Sequence, residues 1–392
     1  MVMSRRSIVI TIALGVFLGW ILDKFCFTEN ANNTSFDIAK KNMHENDEPK
    51  TFSGYIGENK VGGDYKPGTD KPVKGAFVVL VRNLELYQMK ESMQSIEDRF
   101  NRKHNYPYIF LNDKIFTNEF KIGIRAMTKA SVKFGLIPKE HWSYPEFINQ
   151  TFAKEQRDIM FANKVIYAEV ESYHHMCRYN SGFFYRHPLL TEYDYYWRIE
   201  PSVTYTCDID YDPFIYMKEK NIKYGFTIGM LEYIDTIPSL WDKIKKFAKQ
   251  NTHFINKNNS LSWMSFDNGK TYSRCHFWSN FEIGDLNFFR SEEYTKYFDF
   301  LDREGGFFYE RWGDAPVHSI AAAMFLPSNQ IHYFSDIGYL HPPYQNCPQD
   351  PKSLQKCFCD PKNGIIVDKF IQCTKLWVNG VSPIPPNVFA NS

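Results

Sequence analysis

The sequence predicts an α/β protein with one dominant domain, and three observations carry that expectation. Residues 76–81 (AFVVLV) form a short, unbroken apolar run of the kind that buried parallel strands show. Leu86, Met89, Met93, Ile96 and Phe100 then recur at spacings of 3, 4, 3 and 4, which is an amphipathic helix. A second apolar run follows at residues 108–111 (YIFL). Strand, helix and strand over about 35 residues make a βαβ unit.

Before that unit lies a different kind of sequence. Residues 1–6 are short and basic, with Arg5 and Arg6, and residues 7–22 (SIVITIALGVFLGWIL) carry no charge. Sixteen helical residues reach roughly 24 Å, and the apolar Phe25–Phe27 flank extends the segment to residue 27. No small-x-small cleavage site follows, so the segment is expected to be an uncleaved signal-anchor, with a cytosolic tail at 1–6 and the rest of the chain luminal. A short span suits a thin early-secretory membrane. Residues 28–74 are polar and aperiodic and are expected to be a stem. The catalytic body is then 75–392.

Further elements follow in order: residues 164–170 (KVIYAEV), a segment from Tyr173 to Arg186, and a strand over 193–199 (YDYYWRI). Residues 224–228 are a short strand. Residues 238–250 show helical spacing, with Leu240, Trp241, Ile244, Phe247 and Ala248 on one face and Pro238 in the first turn. Residues 254–274 are loop-like. Ligands in such sheets bind at the strand C-terminal ends, which places Arg82, Asn83, Asn112 and Asp113 at the mouth of the site. No G-x-G-x-x-G or Walker sequence follows the first strand, which disfavours NAD enzymes and P-loop NTPases. A net charge of +1 makes no electrostatic case for nucleic acid.

Sequons at Asn32, Asn33, Asn149 and Asn258 permit glycosylation. Cys347, Cys357, Cys359 and Cys373 crowd the C-terminal region and read as disulfide staples of an irregular tail in an oxidising compartment. The rival, zinc, lacks any Cys-x-x-Cys. Seven cysteines lie beyond Cys26, so at least one is free or pairs between chains.

The chemistry concentrates in residues 275–324, where FEIGD, Gly305–Gly306 and ERWGDAPVH mix acids, a histidine and aromatics. Aromatic faces and carboxylates suit a sugar. The Asp208-x-Asp210-x-Asp212 run offers a metal-binding Asp-x-Asp pair. Its alternative role is to cap a helix that begins at Pro213. Glu200, in WRIEP, ends an aromatic strand and points into the cleft.

The blocks EDRFN, FLND, IPKEHW, SGFFYRHPL, WRIEP, HFWSNFEI and GGFFYERWGDAPVHSIAA, spread over residues 75–373, closely resemble the fungal α-1,2-mannosyltransferases of glycosyltransferase family 15. These are type II Golgi enzymes that use GDP-mannose. The resemblance implies a glycosyltransferase-A fold, a Rossmann-like mixed sheet flanked by helices, and retaining transfer to acceptor mannose on N- or O-linked glycans. It implies that Glu200 takes over the Asp-x-Asp function and that His341, in IGYLHPP, is the second Mn²⁺ ligand. Ser202 stands where an acid would complete a pair with Glu200. The resemblance also places Glu282 nearest the anomeric carbon, Tyr173 beside the donor, and Asp314 on the sugar hydroxyls or the metal shell. Arg82 and Asn83 would lie near guanosine, and Arg178 and Arg186 are candidates for the diphosphate. His318 serves either the site or the core. Retention is open to a carboxylate nucleophile or to same-face attack. Mannosylphosphate transfer and a catalytically silent lectin or scaffold are the alternative functions.

Overall fold

The computed structural model describes residues 73–368 and 372–390. The expected tail and anchor, and nearly all of the stem, lie outside the described residues. Regular structure starts where the apolar pattern starts. β1 (Gly75–Leu80) and β2 (Tyr108–Asn112) pair in parallel, with Phe77 opposite Tyr108 and Leu80 opposite Leu111. Between them runs α1 (Leu86–Ile96), which buries Leu86, Met89, Met93 and Ile96 and leads into a π-helical turn over Glu97–Asn101. The next elements are α2 (Asn118–Arg125), β3 (Val132–Leu136), α3 (Gln150–Ala162) and α4 (Glu171–Gly182). Residues 164–170, expected as a regular element, are turns.

β4 (Tyr195–Arg198), β5 (Thr204–Tyr205), α5 (Pro213–Glu219), β6 (Tyr224–Phe226) and β7 (Gly229–Leu231) follow. Then come α6 (Leu240–Gln250), β8 (Cys275–Phe277), β9 (Glu282–Asp285), α7 (Glu292–Glu304) and α8 (Asp314–Phe325). The chain closes with β10 (Ile331–Tyr333), β11 (Tyr339–His341) and β12 (Tyr344–Asn346) before an irregular tail.

The main sheet has seven strands in the order β10-β6-β9-β4-β1-β2-β3. β9 runs antiparallel to both β4 and β6, and the other pairings are parallel, so the sheet is mixed and parallel-rich. Alternation along β1 divides the core into two layers. Ala76 and Val78 join the cluster with Tyr196 and Tyr224, while Phe77 and Val79 join the one with Trp197 and Ile283. Two smaller sheets, β12-β11-β5 and β7-β8, extend the strand C-terminal end. Among the described residues no helix is long and apolar enough to cross a membrane.

Disulfides Cys207–Cys357 and Cys275–Cys373 tie the tail to the body, Cys347–Cys359 closes a loop within the tail, and Cys177 is a free, buried thiol. Cys207, Cys357 and Cys359 come together as a possible metal group, but all three are spent in disulfides. The glycine pair serves geometry. Gly305 ends α7 at φ 76°, a left-handed cap that favours glycine, and a Cβ on Gly306 would meet Trp312 at 2.0 Å.

Candidate active site

β4 carries the centre of the site. Alternation puts Tyr196, Arg198 and Glu200 on one face, and Trp197 and Ile199 on the other. Arg198 is at the strand's C-terminal end and donates to Glu200 Oε1 and to Asp314 Oδ2, each at 2.5 Å. Ser279 also donates to Asp314 Oδ2, at 2.8 Å. Asp314 is at the start of α8, where a carboxylate favours the helix N-terminus. Burial raises its pKa, but Arg198 and then His318 outweigh that and hold it below the usual carboxylate value. Burial likewise works against the charge on Arg198, yet Asp314, Glu200 and Glu282 keep it firmly protonated. Arg198 therefore links two predicted site acids, although the sequence reading did not single it out. The available signal was its position two residues before Glu200 on the same strand face.

Glu200 engages Arg198 through Oε1 only, and among the described residues no donor takes Oε2. After Pro201 the chain turns at Ser202, with φ 65°, and enters β5. β5 pairs with β11, Leu340 facing Thr204, so His341 arrives at the same end of the fold. Its ring packs on Trp278 with centroids 4.5 Å apart, and only Nδ1 meets a protein acceptor, Pro342 O at 3.2 Å. One open carboxylate oxygen and one open imidazole nitrogen are a donor set that fits Mn²⁺ completed by diphosphate and water.

The Asp208–Asp212 run is divided among other partners. Asp208 pairs with Arg99, Asp210 with Lys356, and Asp212 caps α5 through Phe214 N and Ile215 N. The capping alternative describes Asp212.

Glu282 is enclosed by protein partners. It opens β9 opposite Arg198 and is 1% exposed. Tyr196 Oη donates to it at 2.5 Å, Tyr224 Oη at 2.6 Å, and His318 Nδ1 lies at 2.8 Å. Burial raises its pKa, but His318 and Arg198 lower it by more, so the carboxylate stays ionised. Burial lowers the pKa of His318, and the charge and hydrogen bond of Glu282 raise it to a net increase. Glu282 is thus buried with both carboxylate oxygens engaged by protein partners. His318 is a core residue, its other nitrogen lying 3.0 Å from Asn180 O.

Tyr173 lies within electrostatic reach of Asp314. Burial raises its pKa well above the usual phenol value. The Arg311 guanidinium covers its ring at 5.4 Å and donates to Glu232 Oε1 at 3.3 Å. Neither Arg311 nor Glu232 was anticipated. Arg311 carried a weak signal, three residues before Asp314, and Glu232 carried none. Arg311 Nε and His276 Nδ1 are buried without a hydrogen-bond partner among the described residues.

The predicted nucleotide residues divide. Arg82 stays at the mouth, largely exposed, forked onto Glu85, with Asp113 acting on it electrostatically. Asn112 is buried at the end of β2. Asn83 donates to Ile115 O and accepts from Thr117 N, both at 3.0 Å, and so ties the β1 and β2 loops together. Arg178 is 4% exposed and forms a two-pronged pair with Asp302 at 2.6 and 2.8 Å, a structural use of its charge. Arg186 stacks on Tyr185 and faces Asp299.

A family profile described as glycolipid 2-alpha-mannosyltransferase matches residues 27–382. The chain is similar to glycolipid 2-alpha-mannosyltransferase 2 of Candida albicans, with 55% identity over 299 residues. That alignment covers 76% of this chain and spans only 65% of the relative's length. It is 53% identical over 315 residues to the glycolipid 2-alpha-mannosyltransferase of Saccharomyces cerevisiae, covering 80% of this chain and 71% of that protein. Among solved structures it resembles core-mannan synthase A of Aspergillus fumigatus in its Mn/GDP form (TM-score 0.75, 44% identity, 81% of this chain and 87% of that one). It also resembles the mannosyltransferase Ktr4p of S. cerevisiae in complex with GDP (TM-score 0.75, 40% identity, 81% and 84%).

Proposed function

The chain belongs to the glycolipid 2-alpha-mannosyltransferase family, and from that premise we propose that it is a Mn²⁺-dependent, retaining α-1,2-mannosyltransferase. It moves mannose from GDP-mannose to an acceptor mannose of N- or O-linked glycans. The observation that carries this reading is the Glu200–Arg198–Asp314 chain at the strand C-terminal edge, in a fold shared with a relative solved in an Mn/GDP form. The uncharged residues 7–22 and the three disulfides support a Golgi enzyme anchored as a type II membrane protein, with its catalytic body luminal.

Glu200 and His341 would hold the Mn²⁺, which when bound supplies charge neutralisation for the leaving diphosphate. Arg198 holds Glu200 and Asp314 in fixed orientation and keeps Asp314 ionised, the part that outer-shell partners play around a metal ligand. Asp314, Glu232 and Arg311 present acceptors and donors to sugar hydroxyls. The Glu282–His318 pair braces Arg198 from below. With both oxygens of Glu282 engaged, retention by same-face attack is favoured over a carboxylate nucleophile, the departing phosphate receiving the acceptor's proton.

The test incubates the protein with GDP-mannose, Mn²⁺ and methyl-α-mannoside and assigns the product linkage by NMR. An α-1,2-mannobioside that disappears with chelator is expected. A phosphodiester product, or none, would overturn the assignment. In parallel, Glu200→Gln abolishes Mn²⁺-dependent GDP binding while Asp210→Asn leaves it intact; the reverse pattern would move the metal to the Asp208–Asp212 run.

A further inference from the structure

Resting on the mannosyltransferase reading, we infer that Tyr167 is an acceptor subsite, an exposed aromatic platform on which a sugar ring of the acceptor glycan stacks. The segment between α3 and α4 is built to present it. Lys164 and Tyr167 both adopt left-handed backbone, at φ 60° and 59°, a region that bulky side chains seldom enter. Backbone bonds hold the turns: Val165 N to Met160 O at 2.9 Å, Ala168 N to Val165 O at 3.3 Å and Val170 N to Tyr167 O at 3.2 Å. The buried His174 then pins the segment to the body, one ring nitrogen 2.8 Å from Ala168 O and the other 2.7 Å from Phe307 O.

The result is an uncommon placement for a tyrosine. The residue is 51% exposed, and its ring lies on Tyr173 with centroids 4.8 Å apart and planes 24° apart. Tyr173 is in turn covered by the Arg311 guanidinium, which contacts Glu232. Tyr167, Tyr173 and Arg311 thus form a continuous column from solvent to the cleft that holds Asp314 and the unpaired Arg311 Nε. A sugar ring presents C–H groups to an aromatic face while its hydroxyls stay free, so the exposed ring complements the next sugar of a mannose chain whose end enters the cleft. Continuity with the site makes an acceptor glycan the occupant.

The test compares Tyr167→Asn and Tyr167→Phe in the full-length protein. Asparagine tolerates the left-handed backbone and removes the ring, while phenylalanine keeps the ring and removes only the hydroxyl. For Tyr167→Asn the KM for an α-mannobiose acceptor rises about tenfold, the equivalent of losing roughly 1.4 kcal/mol of stacking. The KM for GDP-mannose, its slow hydrolysis without acceptor, and the melting temperature stay as they were. Tyr167→Phe behaves like the unsubstituted protein. An unchanged acceptor KM, an equal change in donor KM, or a phenylalanine variant as impaired as the asparagine one would each overturn the subsite. So would a change of oligomeric state with acceptor KM unchanged, which would assign the ring to a contact between copies. If the unsubstituted protein transfers no mannose to any mannoside, the mannosyltransferase reading itself falls, and the subsite falls with it.

Discussion

Replacing Glu282 with glutamine separates a group that touches the sugar from one that braces the site. The carboxylate accepts from Tyr196 and Tyr224 and faces His318, and all three partners are buried. Glutamine keeps the shape, but its amide nitrogen must face a group that had been donating, and His318 loses its counter-charge. Removing one partner of a buried, hydrogen-bonded ion pair costs about 3 kcal/mol or more. For a body of this size that lowers Tm by roughly 4–5 °C. The pH dependence supplies a second readout. The pKa of Glu282 is depressed, so its contribution is present above its ordinary value of 4.5 and is lost as pH falls through the lower folded value. That of His318 is raised, so its contribution is complete below 6.5 and is lost as pH rises through the higher folded value. The stability gap between unsubstituted protein and variant is therefore full between pH 4.5 and 6.5 and narrows on both sides. Thermal unfolding across pH, followed by turnover measured well below both Tm values, checks this. A variant with unchanged Tm at every pH that has still lost turnover about 10²-fold, on the order of 3 kcal/mol of barrier, would refute the bracing role and return Glu282 to the anomeric carbon.

Three further outcomes are expected. Arg198→Lys retains a charge but cannot reach Glu200 and Asp314 together, so turnover and Mn²⁺ affinity fall by about 10–100-fold, read by kinetics and metal titration. Replacing Cys275 and Cys373 together with serine opens a loop of sequence separation 98 and costs roughly 2–5 kcal/mol, measured by denaturant unfolding. A fragment of residues 73–392 keeps turnover on a soluble acceptor, because the core packing begins with the buried Val73 just ahead of β1; a folded but inactive fragment would place the stem in the active body.

The local patterns were legible because short-range physics determines them. The apolar runs at β1 and β2, the 3-4 spacing of α1 and the apolar face of α6 became those elements at nearly the expected bounds. The cysteine-rich tail was legible too, since seven thiols beyond Cys26 leave one over, and that one is Cys177. Asp212 followed the capping rule of its own helix. Residues 164–170 did not form the regular element expected of them, because a short mixed run says nothing of whether a partner is there to pair with it; among the described residues none pairs with it, and the segment turns. Which charges stay available was also beyond the sequence, because availability depends on partners far away in the chain. Asp302 neutralises Arg178 from 124 residues on, Ile115 and Thr117 occupy Asn83, and Tyr196, Tyr224 and His318 enclose Glu282 only because β9 inserts antiparallel between β4 and β6. Residue types and spacing announced which side chains were chemically capable; burial and long-range pairing, which exist only once the sheet has assembled, decided which of them face a ligand.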